Sequence, residues 1–289
     1  MNFKQIGIVG KTEPKALQTI SNLVEYLANK KISLAIDSRT FAKLEIKDIE
    51  SDNLEALCQK SDLIIVVGGD GTLLGTARIA VNYNTPVLGI NMGRLGFLVD
   101  ISPEAMCGSL DKVLDGQYET DDRLLLELKL QNSDSSSAAF NDVVVHKWNT
   151  ARLIEFETFI NGQFVDRQRS DGLIVATPTG STAYALSGGG PLLYPGLDAI
   201  SLVPICPHTL SNRPIVVPAD TSIEIRVCGH TPVDELRISC DGQETRALNP
   251  GTDRFFIQKH QKKVRLIHPP DHDHFNILRK TRGWGSHRS

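Results

Sequence analysis

Short apolar runs and helical repeats take turns along the first 121 residues. Ile6-Gly7-Ile8-Val9 reads as a buried strand, and Ala16, Ile20, Leu23, Val24 and Leu27 then recur at the spacing of one helix face. Residues 32–36 predict a second strand, 53–60 a helix, Leu63-Ile64-Ile65-Val66-Val67 a third strand and Val87-Leu88-Gly89-Ile90-Asn91 a fourth. Ser102-Pro103-Glu104 predicts a helix start with Ser102 as N-cap, and Gly116 predicts its end. Strands alternating with helices imply a parallel sheet covered by helices. Such sheets bind ligands at the carboxyl ends of their strands.

Beyond residue 121 the period changes. Residues 124–130, 139–145 and 153–160 read as strands, and Asn161-Gly162 predicts a type I′ hairpin turn. Further strands are expected at 173–176, 222–227, 236–239, 255–258 and 264–267, so the second half is mostly antiparallel β. Asn132-Ser133-Asp134-Ser135-Ser136-Ser137 is a low-complexity stretch, expected at a mobile hairpin tip. After Pro269-Pro270 helical character resumes, with Phe275, Ile277, Leu278 and Trp284 to bury. The pattern divides the chain into an α/β domain over 1–121, a β-rich domain over 122–269 and a tail over 270–289.

At 289 residues the chain is long for one core, which favours two domains. A net charge of −3 gives no basic field and argues against nucleic acid or an anionic membrane as partner. An anionic small ligand must then be met by local basic groups. Cys58, Cys107, Cys206, Cys228 and Cys240 form no C-x-x-C pair, and read as reduced thiols in a cytoplasm. The apolar stretch at 6–9 is too short for a signal-peptide core or a membrane span. Asp271-His272-Asp273-His274 looks like a set of metal ligands, but polar residues after paired prolines more often make an ordered turn before a docking segment. No resident metal is expected.

Two segments carry chemistry. Gly68-Gly69-Asp70-Gly71-Thr72 lies between the strand at 63–67 and a helix pattern beginning at Leu73. Glycine there permits φ > 0 and close backbone approach, and free N–H groups at a helix start favour phosphate. The alternative is a plain βα loop with Thr72 as N-cap. The second segment is Ser170-Asp171-Gly172, the strand at 173–176, and then Thr177-Pro178-Thr179-Gly180-Ser181-Thr182-Ala183-Tyr184 running on through Gly188-Gly189-Gly190-Pro191. So many small hydroxyls and glycines are not expected in a core element. Their N–H groups, hydroxyls and one aromatic face suit a nucleotide, whereas the alternative is a structural Gly/Ser loop. His208 is expected to be structural, and Phe97, Phe156 and Phe159 to be core.

These motifs, with Asn141-Asp142 between them, resemble the NAD kinase family in order and spacing along almost the whole chain. Asn91-Met92-Gly93-Arg94-Leu95-Gly96-Phe97-Leu98, Pro204-Ile205-Cys206-Pro207-His208-Thr209-Leu210-Ser211-Asn212-Arg213-Pro214 and Asp241-Gly242-Gln243 extend the resemblance. It implies an N-terminal Rossmann-like α/β domain, a C-terminal β-sandwich-like domain, a tail returning to the first domain, and a homodimer or homotetramer. The implied reaction moves the γ-phosphoryl group of ATP to the 2′-hydroxyl of the adenosine ribose of NAD. Mg²⁺ or another divalent cation would accompany ATP, with few protein ligands.

Residue by residue, the resemblance makes Asp70 the catalytic carboxylate, with Gly71 at the substrate and Gly68, Gly69 and Thr72 in the phosphate region. It places Asn141 at adenine and Asp142 at a ribose hydroxyl. Asp142 is one methylene shorter than the family's usual glutamate, so a bridging water is an alternative to direct contact. Asp171 falls at the nicotinamide end, Arg169, Thr179, Thr182, Ala183 and Tyr184 around the dinucleotide, and Asp241 and Gly242 near the phosphorylated sugar. Arg94, Arg169 and Arg213 are candidates to offset phosphate charge. Two rivals are a lipid kinase of the diacylglycerol or sphingosine type, which lacks support from any amphipathic or basic membrane-binding segment, and a non-catalytic dinucleotide sensor, which would have no need of Asp70.

Overall fold

The computed structural model describes residues 3–93, 96–131, 136–209, 211–228, 236–249 and 253–283; Arg94, Leu95, Leu210, Trp284 and 132–135 of the serine-rich stretch lie outside them. The chain divides into two compact units, residues 1–122 together with 264–289, and residues 123–263.

The first unit begins with β1 (Gln5–Gly10), α1 (Pro14–Asn29), β2 (Ser33–Asp37), α2 (Ser38–Phe41), β3 (Glu50–Asp52), α3 (Leu54–Lys60), β4 (Leu63–Gly68), α4 (Asp70–Tyr83), β5 (Val87–Asn91), α5 (Met106–Leu114) and β6 (Glu119–Arg123). The first five strands pair in parallel in the order β3-β2-β1-β4-β5. All six positions of β4 are buried, as a strand covered on both faces requires. One sheet face takes the predicted stripe of α1, where Ala16, Ile20, Leu23, Val24 and Leu27 are all buried. α3 lies so close to the other face that a β-carbon on Gly7 would come within 2.8 Å of Leu57 Cγ. α5 starts later than expected, at Met106, because Ser102 caps a separate turn by accepting the Ala105 N–H at 3.3 Å.

The second unit holds β7 (Leu126–Leu130), β8 (Ser136–Ala139), β9 (Asp142–Lys147), β10 (Ile154–Ile160), β11 (Gln163–Ser170), β12 (Gly172–Ala176), α6 (Tyr184–Ser187), β13 (Ala199–Ile205), β14 (Ile215–Pro218), β15 (Ile223–Val227), β16 (Leu236–Cys240), β17 (Glu244–Ala247) and β18 (Arg254–Lys259). They make two six-stranded sheets, β11-β10-β15-β18-β7-β8 and β14-β13-β12-β9-β16-β17. Leu128, Phe156 and Phe255 of one sheet meet Val143, Val145 and Val175 of the other in a shared core, so the unit is a β-sandwich. Asn161 and Gly162 turn the β10–β11 hairpin at φ 49° and 77°, the signs a type I′ turn demands. The expected strand at 139–145 is instead broken at Phe140-Asn141 into β8 and β9, which belong to different sheets.

β12 is buried on both faces. Leu173 and Val175 point into the sandwich, while Ile174 and Ala176 lie outward with Val144, Val203 and Ala185 of α6. The hydroxyl-rich segment after β12 therefore covers the outer face of a sheet. Contrary to expectation it is core at Thr177, Thr179, Gly180 and Ser181, all of them buried.

β19 (Val264–His268), expected in the β-rich half, joins the first sheet between β5 and β6, parallel to β5 with Leu266 opposite Val87. α7 (His274–Arg282) follows in the same unit, N-capped by Asp273, which accepts the Asn276 N–H at 3.0 Å, and buries Ile277 and Leu278. The boundary expected at 269 thus lies before Val264, since a strand's own pattern does not say which sheet it will join.

Candidate active site

β4 stays apolar up to Gly68 and α4 begins immediately, with Gly69 as N-cap and Asp70 as the first helical residue. The glycine-rich motif is a helix's first turn rather than a loop before Leu73, and Gly68, Gly69 and Gly71 all keep negative or extended φ. Their use is space. A β-carbon on Gly68 would meet Thr72 Oγ1 at 2.7 Å, whereas the positions beside Gly69 and Gly71 are open, where a ligand can approach the helix N–H groups. Gly71 and Thr72 line a cleft of about 640 Å³ together with Lys11, Arg39 and Asn53.

The Asp70 carboxylate is held from a second direction. Phe97 N–H donates to one oxygen at 3.0 Å and Leu98 N–H to the other at 3.2 Å. Glycine at 96 makes this possible, because a β-carbon there would overlap the carboxylate. Burial pushes the Asp70 pKa up, the backbone N–H groups of Phe97, Leu98 and Val99 oppose that, and the charge of Asp100 adds to the rise. The result is a stronger base than a carboxylate at a helix N-terminus alone would be.

A second cleft, of about 500 Å³, lies on the second unit. Val143 and Val145 of β9 point into the sandwich, so alternation turns Asp142, Val144 and His146 to the cleft. Asn141, Asp171, Ala183, Tyr184, Asp241 and Gly242, all expected, line it as well. Val144, His146, Lys147, Ile205 and Ser239 were not expected there, although the period of two starting from Asp142 points to the first two. Lys147 and Asp171 form an ion pair at 2.7 Å. A volume of this size suits a nucleotide-like ligand.

Asp142 is only 5% exposed, and among the described residues no donor reaches its carboxylate. Burial, then the charge of Asp241, push its pKa up to about 7. Asp241 has the opposite environment, since its carboxylate accepts N–H groups from Phe140, Asn141 and Asp142 at 3.0, 2.7 and 3.2 Å. Expected near a sugar, it lines the cleft and also fixes the backbone that presents Asn141 and Asp142.

Thr179, Thr182 and Arg169 do not line this cleft. Thr179 accepts from the buried Arg123 at 3.2 Å, Thr182 Oγ1 donates to the Thr179 carbonyl at 3.0 Å, and Arg169 is exposed on β11. The neighbouring hydroxyls also bond inward: Thr177 to the Phe140 carbonyl at 2.7 Å and Ser181 to the Pro178 carbonyl at 2.6 Å. Those bonds let a polar segment be buried, and its tight seat on Asn141 needs Gly180, where a β-carbon would overlap the Asn141 carbonyl. Arg213 donates to the Asn212 carbonyl outside the cleft, and His208 is exposed rather than packed. Phe156 is core, whereas Phe97 and Phe159 are half-buried.

An α/β unit with a carboxylate gripped at the start of a helix, and a β-sandwich with a nucleotide-sized cleft, together define a small-molecule kinase. Residues 6–118 match the ATP-NAD kinase N-terminal domain and residues 140–269 the ATP-NAD kinase C-terminal domain. The NAD kinase of Chromohalobacter salexigens is 46% identical over 288 residues, 98% of each chain, and that of Nitrosococcus oceani is 47% identical over 287 residues, 98% of this chain and 97% of that one. Yeast NADH kinase complexed with NADH superposes at a TM-score of 0.90 with 26% identity, covering 99% of this chain and 89% of that one. An NAD kinase from Archaeoglobus fulgidus in complex with ATP gives a TM-score of 0.76 at 27% identity, covering 97% and 100%. The chain belongs to the NAD kinase family.

Proposed function

We propose that Asp70 accepts the proton of the adenosine 2′-hydroxyl of NAD as that oxygen attacks the γ-phosphorus of ATP. Family membership sets the overall reaction, ATP-dependent phosphorylation of NAD to NADP. The O2′–P bond forms, the bond from the γ-phosphorus to the β–γ bridging oxygen breaks, and ADP leaves. The observation that carries the assignment is the Asp70 carboxylate, fixed at both oxygens by N–H groups and raised in pKa by burial. In a loose, anionic transition state, positioning and charge neutralisation supply most of the rate, and a late proton transfer suits a carboxylate base.

A divalent cation, Mg²⁺ in the simplest case, comes with ATP as part of that substrate and neutralises its phosphates. The protein offers little to cage it, since both Asp70 oxygens already accept hydrogen bonds, which fits a metal held by phosphate oxygens and water. Gly68, Gly69 and Thr72 are assigned to phosphates and Gly71 to the substrate. Asn141, Asp171, Ala183 and Tyr184 are assigned to the dinucleotide, with Arg169, Thr179 and Thr182 supporting that site from outside the cleft. Asp142 keeps a proton up to about neutral pH and can donate it to a ribose oxygen, directly or through water.

Exposed Phe164 and Val165 on β11, and Ile215 and Val216 on β14, lie on edge strands and support a homodimer or homotetramer. Five free cysteines support a reducing cytoplasm. No helix among the described residues is long and apolar enough to cross a membrane.

Incubating purified protein with NAD, ATP and Mg²⁺ should yield NADP, read with an NADP-specific dehydrogenase. Phosphorus NMR should place the new phosphomonoester on the adenosine 2′-oxygen, and the 2′-deoxyadenosine analogue of NAD should bind without accepting phosphate. Phosphate on any other hydroxyl would overturn the site assignment, and no turnover at all would leave the dinucleotide-sensor reading standing.

A further inference from the structure

We propose that the C-terminal segment is a positioning device for Asp70: His268 and His272 hold Asp100, and through it the strap at 96–100 whose N–H groups grip the Asp70 carboxylate. The inference rests on Asp70 being the proton acceptor. Phe97 and Leu98 supply the two donors to Asp70, and two residues on, one oxygen of Asp100 accepts from His268 Nδ1 at 3.0 Å and His272 Nδ1 at 2.5 Å. A carboxylate anion only accepts, so both Nδ1 atoms carry the hydrogen. His268 closes β19, is 2% exposed, and among the described residues its Nε2 has no partner. Arg282 of α7 also reaches the strap, lying 5.4 Å over the Phe97 ring.

The clamp works in a sheltered place, since the side chains of Asp100 and His272 are each about a tenth exposed and a hydrogen bond gains strength away from water. Burial pushes the Asp100 carboxyl up, but the two imidazole donors outweigh it and hold it well below the usual carboxylate range. Asp100 therefore stays an anion and keeps its grip. The charged groups around it are Asp70, Asp271, Asp273 and Lys280, with Lys112 paired to Asp271 at 3.6 Å.

One aspartate and two histidines also have the composition of a metal site. With the rings stacked at 3.9 Å and 25°, however, both Nδ1 atoms are already directed at one Asp100 oxygen within hydrogen-bond distance. A shared proton donor set fits this geometry without unstacking the rings.

His272→Ala and His272→Asn test the clamp, because an asparagine amide nitrogen stands on Cγ where the imidazole Nδ1 stands and restores the donor. Amide exchange at Phe97 and Leu98 should run at least about tenfold faster in His272→Ala and return toward wild type in His272→Asn. The alanine variant should also lose about three- to tenfold in kcat with its KM for NAD within about twofold. Its acid limb of kcat should move up by about half a pH unit as Asp70 loses donors. Unchanged exchange and kcat, or an equal loss in both variants confined to the melting temperature, would overturn the inference. Full activity in Asp70→Asn would instead remove the proton-acceptor reading, and the exchange rates would still decide the clamp.

Discussion

Asp70 and Asp142 are aspartates of two different units that meet opposite surroundings. Asp70 receives two backbone N–H groups, whereas Asp142 receives none and faces Asp241, which has taken three. Both have raised pKa values, but for Asp70 the donors work against burial, while for Asp142 nothing does. Where two carboxyls share a region, the one with donors carries the charge and the other keeps the proton. Backbone wiring, rather than residue type, thus separates the two aspartates, in keeping with the proposed roles of Asp70 as base and Asp142 as hydrogen-bond donor.

The contrast breaks most directly at Asp70. Asp70→Asn should cut kcat by at least about a thousandfold, ~4 kcal/mol of barrier, with NAD affinity and melting temperature little changed. A kcat within about tenfold of wild type would mean that the grip on Asp70 serves folding alone. Asp142 should show itself in stability. Its pKa rises from 3.8 to about 7 on folding, so the folded chain holds a proton that the unfolded chain releases between those values. The contribution is full below about pH 4 and is lost as pH rises through about 7. Asp142→Asn should remove that slope and be more stable than wild type at pH 8 by up to about 4 kcal/mol, at ~1.36 kcal/mol per unit. Urea unfolding at pH 5 and pH 8 measures it, and parallel slopes for the two proteins would show that Asp142 is ionised throughout.

Smaller effects sharpen the same comparison. Gly96→Ala should displace the Asp70 carboxylate and lower kcat by roughly ten- to a hundredfold, ~1.4–2.7 kcal/mol, while NAD binding holds. Asp142→Ala should weaken NAD binding by about 1 kcal/mol, the value of a neutral rather than a charge-assisted hydrogen bond, and Asp142→Glu should preserve or improve it. Calorimetric titration decides, and equal affinity for the alanine, glutamate and wild-type proteins would remove Asp142 from the ligand.

Much of this was legible in residue order. The stripe of α1, the fully apolar β4 and the Asn161-Gly162 turn follow from periodicity or motif, and the family resemblance supplied Asn141, Asp142, Asp171, Ala183, Tyr184, Asp241 and Gly242 of the second cleft but not Lys147, Ile205 or Ser239. What escaped depends on partners distant in the chain. Nothing near Asp241 says that its carboxylate will cap three N–H groups a hundred residues earlier. Likewise Thr177 and Ser181 look like solvent-facing hydroxyls until their backbone acceptors are known. Gly96 resembles any loop glycine, and only the Asp70 carboxylate beside it gives the missing side chain a reason.

The seat of β19 between β5 and β6 also imposes an order of events on synthesis. A nascent chain that has delivered β5 and β6 must wait for roughly 150 further residues, about 7–30 s at roughly 5–20 residues per second, before the strand that separates them leaves the ribosome. The intervening sandwich is contiguous and can close in that interval. The unit that is first in sequence is then last to be finished, and no ribosome-bound intermediate short of His268 carries a complete β-sheet beneath Asp70.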